Sequence, residues 1–254
     1  MAANGLERPK VPIDIAAHVA VFPYGTAEYE NAKSAFPNFS SAWSALAAVL
    51  PYSVIVKNVS TSPLRGINVV FYFETNDGSM TRNSFLTWNM DPRAMPTLAG
   101  GEYLLYFPES ILTRVAQEGV PLSDLPPELY SRALSRDFEK YSRVTLAVDS
   151  IILSDGRFIG PDNLGKLSAI QDQQRAIRDL GGILQSGVAE PDGRIRASVS
   201  ALAEMETGPL SPDKYSSRMS HDARVIVRLF EAGAIKAAED YVAASVRMIQ
   251  VVRE

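Results

Sequence analysis

Histidine is the commonest general base and metal ligand near neutral pH, and the chain carries only two, His18 and His221. His18 stands four residues after Asp14 in a stretch that reads as a strand, and an even spacing on a strand puts both side chains on one face. A general base oriented by a carboxylate, or half of a metal site, needs that arrangement. A sheet-face histidine beside a carboxylate satisfies the same pattern without chemistry, and that is the reading preferred. His221 lies between Ser220 and Asp222 at an expected helix start, where serine caps the helix and aspartate complements its dipole. Structure accounts for these three residues.

Asp149, Asp155 and Asp162 recur at intervals of six and seven, and three carboxylates of that kind could ligate calcium. Turn chemistry explains them as well. Asp155-Gly156 reads as a type I′ hairpin turn, and Gly160-Pro161-Asp162 ends a strand and caps the following helix. Arg224 and Arg228 share a helix face, with Arg218 upstream, and could hold a carboxylate or phosphate; solvated helix surface describes them more simply. The chain has no nucleophile elbow, phosphate loop, dinucleotide fingerprint, His-Glu-x-x-His helix or EF-hand loop. It also has no cysteine, which removes thiolate zinc sites, iron–sulfur clusters and cysteine nucleophiles together. The expectation is therefore no catalytic, cofactor-binding or metal-binding residue. The alternative is a small hydrolase or metal-dependent enzyme using His18 and Asp14.

The elements that must position these residues follow from pattern. Clusters of β-branched and aromatic residues between turn signals predict strands over Ile13–Phe22, Ser53–Val59, Ile67–Glu74, Arg82–Trp88, Glu102–Phe107 and Arg143–Leu153, with a short one at Arg157–Ile159. Ser62–Gly66 and Asn76–Ser79 are the expected turns between the second, third and fourth strands. Alternation places Phe71 and Phe73 inside and Tyr72 outside. Ser40–Leu50 and Pro127–Lys140 read as small helical insertions.

Beyond Asp162 the hydrophobic period becomes that of helices. Leu164, Leu167, Ile170, Gln174, Ile177 and Leu180 form one stripe that Gly181-Gly182 is expected to loosen or end. Further helices are expected over Arg194–Glu206, Ser220–Ala232 and Ala234–Val252. Of the 16 prolines, 13 precede residue 163, and the acidic excess lies there too. The chain thus divides into residues 1–162 and a helical region, 163–254.

At 254 residues, 46% hydrophobic and 21% charged, with a net charge of -4 and a pI near 5.4, the chain has the composition of a globular protein and lacks a basic nucleic-acid footprint. No apolar run approaches a membrane span; Ala42–Leu50 is too short and stops at Pro51. The first ten residues lack a signal peptide's apolar core, so either the protein is cytoplasmic or a signal has been removed.

A strand rich in aliphatic residues, then Ser154-Asp-Gly-Arg-Phe-Ile-Gly-Pro-Asp162, then a long helix, resembles the end of an immunoglobulin-like domain in uncharacterised, mainly secreted or envelope-associated bacterial proteins. Tyr52-Ser-Val-Ile-Val-Lys-Asn-Val-Ser60 followed by Pro63-Leu-Arg-Gly-Ile-Asn-Val-Val70 is similar to the paired early strands of such domains. The resemblance spans residues 50–162. It implies an immunoglobulin-like antiparallel β-sandwich; joined to the small helical insertions and the C-terminal helical region read from pattern, which carry no resemblance, the expectation is an α+β chain. It also implies a secreted or periplasmic setting and no catalytic residue.

The expected function is that of a non-enzymatic protein-interaction or structural assembly protein. Its expected partner is another protein, or a second copy held through the C-terminal helices. On the helix expected over Ala234–Val252, Ile235, Ala238, Val242, Val246 and Ile249 form the packing stripe. Tyr241, Met248, Val251 and Val252 extend the apolar surface beyond it, and Tyr241, Met248 and Val252 are the expected partner-binding residues.

Overall fold

In the computed structural model the described residues are 5–36, 47, 49–88, 96–108, 138–187, 223–228, 232, 236, 237, 240, 243 and 250–253. The chain divides into two compact units. The first comprises Met1–Trp88, Pro96–Ser154 and Ile159–Pro161; the second comprises Asn89–Met95, Asp155–Phe158 and Asp162–Glu254. The strands of the first unit pair antiparallel, with two isolated parallel bridges from the N-terminal residues, and the second unit includes a parallel pair, which with the helices makes the chain α+β.

In the first unit α1 (Ile13–Ala16) precedes β1 (Val19–Pro23), and α2 (Ala27–Lys33) precedes β2 (Val54–Asn58). The strand expected over Ile13–Phe22 is therefore half helix. Pro12 presets a φ of -56°, the Asp14 carboxylate accepts the Ile15 N–H, and the Ala16 N–H closes a turn on the Pro12 carbonyl at 2.8 Å. The chain extends only from Val19 onward.

β1, β2 and β5 (Tyr103–Tyr106) form one antiparallel sheet with β2 in the middle. β3 (Leu64–Thr75) lies in a second sheet between β4 (Met80–Trp88) and β6 (Tyr141–Leu153). Val54 and Val56 from the first sheet share a single hydrophobic cluster with Ile67, Val69, Phe71, Phe73, Val144, Leu146 and Val148 from the second. The period of two along each strand delivers these residues to one side. Ile55, on the other side of β2, packs instead with Tyr29 and Ala32 of α2. Phe71 and Phe73 are buried, as the alternation requires, and Tyr72 is partly exposed.

β3 starts three residues earlier than the turn signal suggests, because Asn58 completes the corner before Leu64. Its Oδ1 accepts the Ser60 N–H, and its Nδ2 donates to the carbonyls of Ser62 and Leu98, at 2.9 and 3.1 Å. The asparagine is fully buried, so all three bonds substitute for lost water.

In the second unit β7 (Arg157–Ile159) pairs in parallel with β8 (Val252–Arg253), in the register Arg157↔Val252 and Phe158↔Arg253. α3 (Lys166–Gly187) starts four residues after Asp162, whose Oδ1 accepts the backbone N–H groups of Lys166 and Leu167, so the expected capping by this aspartate is present. The helix passes through Gly181-Gly182 rather than ending there. Two glycines cost a helix only about 1 kcal/mol each, which a long helix absorbs. Leu167, Ile170 and Leu180 are buried along the expected stripe.

The helix expected over Ala234–Val252 gives way before its end: Lys236, Ala237, Asp240 and Ala243 are helical, yet Val252 and Arg253 are extended. Glutamines on α3 account for this. Gln171 Nε2 donates to the Val251 carbonyl at 3.1 Å, and the buried Gln174 accepts the Val251 N–H at 3.2 Å. Gln174, placed by period in an apolar stripe, holds backbone instead. The helices expected over Ser40–Leu50, Pro127–Lys140 and Arg194–Glu206 lie mostly or wholly outside the described residues; the described ends are a 3₁₀ turn over Leu50–Tyr52 and a helical Phe138-Glu139.

Gly160 gives a sharp test of the first unit's packing. Its φ is +121°, and an added Cβ would lie 2.4 Å from the Asp149 carbonyl oxygen and 3.0 Å from the Ser150 Cα. Gly160→Ala is expected to cost more than about 2 kcal/mol in denaturant unfolding. Gly78→Ala, also at positive φ but with nothing within 4 Å, should cost about 1 kcal/mol. Equal losses at the two positions would contradict the close approach.

Candidate functional site

The residues singled out for chemistry do not converge. Asp14 is exposed and its carboxylate is turned onto the Ile15 N–H, in a helix, so the strand face expected to hold it with His18 does not form. His18 lies between α1 and β1, and its Nδ1 is buried with no hydrogen-bond partner among the described residues. Asp149, Asp155 and Asp162 each have separate work. Asp149 Oδ2 accepts from Asn68 Nδ2 at 3.2 Å, Asp155 pairs with Arg157 Nε at 2.7 Å, and Asp162 caps α3. Among the described residues no group of three or more His, Cys, Asp or Glu is placed to hold a metal ion.

The Asp155-Gly156 turn differs in type from the expectation. Gly156 has a φ of +91°, but Asp162 is the only described non-glycine residue with positive φ, so Asp155 does not take the conformation that a type I′ turn demands. The connection has three residues, with glycine in the left-handed position. The Asp155 carboxylate accepts the Arg157 N–H, and that bond holds its pKa below the ordinary value.

Among the expected partner-binding residues, Val252 is 52% exposed, but on β8 and not on a helix. Val251, its neighbour, is buried. Tyr241 and Met248 lie outside the described residues, as do Arg218 and His221. Arg224 and Arg228 are exposed on the helical residues 223–228, whose buried side carries Ala223 and Ile226.

The feature that pattern reading missed is the outer side of β4, where no described strand pairs. Its register against β3 runs without interruption through nine pairs, from Gly66↔Trp88 to Glu74↔Met80, whereas β3 against β6 breaks three times. The turn before it sets that register. Gly78 has a φ of +83°, Thr75 N donates to the Ser79 carbonyl at 2.9 Å, and Asp77 accepts from the Thr75 hydroxyl and from the Ser79 N–H. These bonds hold the exposed Asp77 carboxyl down at about 2. Because Thr75 and Ser79 are a hydrogen-bonded pair, antiparallel alternation points the N–H and C=O of Met80, Arg82, Ser84, Leu86 and Trp88 away from β3. Among the described residues β4 pairs with β3 alone.

Side-chain contacts fix the same strand. Phe85 meets Phe71 edge to face at 5.8 Å, and Tyr106 donates weakly to Thr87 at 3.4 Å. On the other face Ser84 Oγ donates to Asn68 Oδ1 at 2.8 Å, which directs the Asn68 amide toward Asp149. The residues nearest the turn stay in water, and Met80 is 65% exposed. Arg82 is the only charge on the strand. The sequence carried one signal for this edge: a nine-residue β-prone stretch without proline or lysine, the residues that usually blunt an edge.

Burial of Tyr106 pushes its phenol from the ordinary 10.0 up to about 12, and Tyr29 is raised to about 12 in the same way. A phenol whose folded pKa exceeds its unfolded value contributes stability that is whole below pH 10.0 and disappears as pH rises through about 12. Unfolding free energy should therefore fall between those limits. Burial raises Tyr52 as well, so Tyr106→Phe should remove part of that fall while changing stability at neutral pH by less than about 1 kcal/mol. An unchanged alkaline slope in the variant would contradict the burial of this hydroxyl.

Comparison with known proteins finds no matching family, no matching curated protein and no matching solved structure.

Proposed function

We propose that this chain is a non-enzymatic protein-interaction or structural assembly protein that receives an extended segment of a protein partner along β4. The observation that carries the reading is the nine-residue, unbroken edge of β4, with outward N–H and C=O groups on alternate residues and exposed Met80 at its start. Backbone groups on such an edge are a ready template, and strand addition supplies affinity through main-chain bonds while alternate side chains supply selectivity. The proposal includes an immunoglobulin-like β-sandwich for residues 1–162, supported by two antiparallel sheets that contribute to one core. It includes a helical region over 163–254, supported by α3 and the helical residues 223–228. A secreted or periplasmic setting belongs to the same reading. No helix among the described residues is long and apolar enough to cross a membrane.

Arg82→Pro tests the proposal. Proline at an outward-facing position removes an edge donor and no bond to β3, so the fold should survive. Extended peptides selected on the immobilised protein should show alternating apolar residues and bind the variant at least about tenfold more weakly, the equivalent of about 1.4 kcal/mol. Equal binding to both proteins would remove β4 from the account. An esterase and phosphatase screen supplies the opposing result: turnover abolished by His18→Ala would make the chain an enzyme.

A further inference from the structure

The two strands beside β3 are treated differently. Where nothing described pairs with the outer side of β4, the Val144–Val148 stretch of β6, which precedes the part of β6 next to β7, is bonded on the side away from β3 by the chain's own N-terminal residues, running parallel to it. Leu6 bridges Val144 and Lys10 bridges Ala147. Glu7 N donates to the Val144 carbonyl at 2.9 Å, Lys10 N donates to the Leu146 carbonyl at 2.8 Å, and Val148 N donates to the Lys10 carbonyl at 3.0 Å. Leu6 N adds a bond to the Pro51 carbonyl at 2.8 Å. Pro9, which has no N–H, falls between the bridges and limits the ladder to these bonds.

We propose that residues 6–10 are an exchangeable strand through which two copies of this chain pair, each arm completing the β6 edge of the other. Four observations support exchange. The arm is held lightly: its ion pair, Arg143 to Glu7 at 2.7 Å, joins two side chains about half exposed, a kind of pair that contributes little. Its apolar grip is partial, because Leu6 and Val11 are packed against the core without being buried in it. The tether is short: only Val11 and Pro12 separate Lys10 from α1, and Pro12 is locked in an extended conformation with φ -56° and ψ 149°. A released arm is therefore directed away from the body instead of folding back, and short, stiff tethers favour swapping. Finally, the seat is self-complementary across copies. The same backbone bonds, the same Glu7–Arg143 pair and the same Leu6 contact re-form in trans, so exchange sacrifices no interaction and forms a closed two-fold pair. The proposal concerns β6 and is independent of any partner at β4.

The absence of cysteine allows a direct experiment on the full chain. Lys10 and Ala147 are neighbours in the parallel register, close enough for a disulfide once both are cysteine. The variants Lys10→Cys and Ala147→Cys, purified separately, concentrated together and oxidised, should accumulate a covalent dimer containing one of each. The yield should exceed by at least about tenfold that from Lys10→Cys mixed with Asp77→Cys, whose exposed turn cysteine meets its partner only by collision. The double variant Lys10→Cys/Ala147→Cys, oxidised when dilute, should close within one chain, which checks folding and seating together. A mixed dimer no more abundant than the Asp77→Cys control overturns the exchange. Failure of the folded double variant to close would show that the arm is not seated on β6, and the proposal would fall with it.

Discussion

The hydrogen bond from Asn68 Nδ2 to Asp149 Oδ2 is the constraint on which the second sheet depends. Both residues are essentially inaccessible to water, and a carboxyl group in that position is tolerated only when its polar atoms are hydrogen-bonded. The register of β3 on β6 shifts at this point: Asn68 opposes Ser150 and the next residue, Val69, opposes Val148, so Asp149 is the extra residue of a bulge. A bulge turns one side chain out of the alternation and bends the strand. Here it carries a carboxylate to an amide while leaving Val148 and Ile151 in the core. Slippage by one residue would turn every core residue of β6 to the other face, and it would leave a buried polar group without its partner.

The same point is guarded from two further directions. Ser84 on β4 donates to Asn68 Oδ1, so the amide can present only its Nδ2 toward Asp149. On the opposite flank Gly160 approaches the Asp149 backbone so closely that no side chain fits between them. Three strands and one glycine therefore agree on a single register. The straight, unbroken pairing of β3 with β4 is a consequence, since the irregularities of the sheet are taken up between β3 and β6.

Edges decide how such a sheet meets other chains. On the described part of β6 the chain supplies its own parallel arm, interrupted by Pro9; on β4 nothing described lies beyond the strand. An arm seated by a few backbone bonds can leave without disturbing the core, because the largest apolar contacts lie between the sheets and not beneath it. Stability and association are thereby separated in the molecule: the core holds the sheets together, and the flanks set what they can pair with.

Local rules were enough for much of this architecture. Six of the strand segments were legible from β-branched and aromatic runs, because a strand half buried in a core must alternate, and Phe71 and Phe73 had to point inward for that reason. The Gly78 turn and the Asp162 cap were legible because each is satisfied by residues within five positions. What sequence could not supply was any bond between distant segments. Asn68 and Asp149 are 81 residues apart, and nothing local marks a polar residue in an apolar strand as the partner of another. Gln174 looked like one more position on a helical stripe until the backbone of Val251 was seen to need it. The start of β1 was misplaced because Pro12 favours a turn as readily as an extended chain, and packing of Ile15 decides between them. The side of β4 on which no described strand pairs and the occupied side of β6 were invisible for the same reason: strand pairing is settled by strand order, and strand order is a property of the assembled sheet.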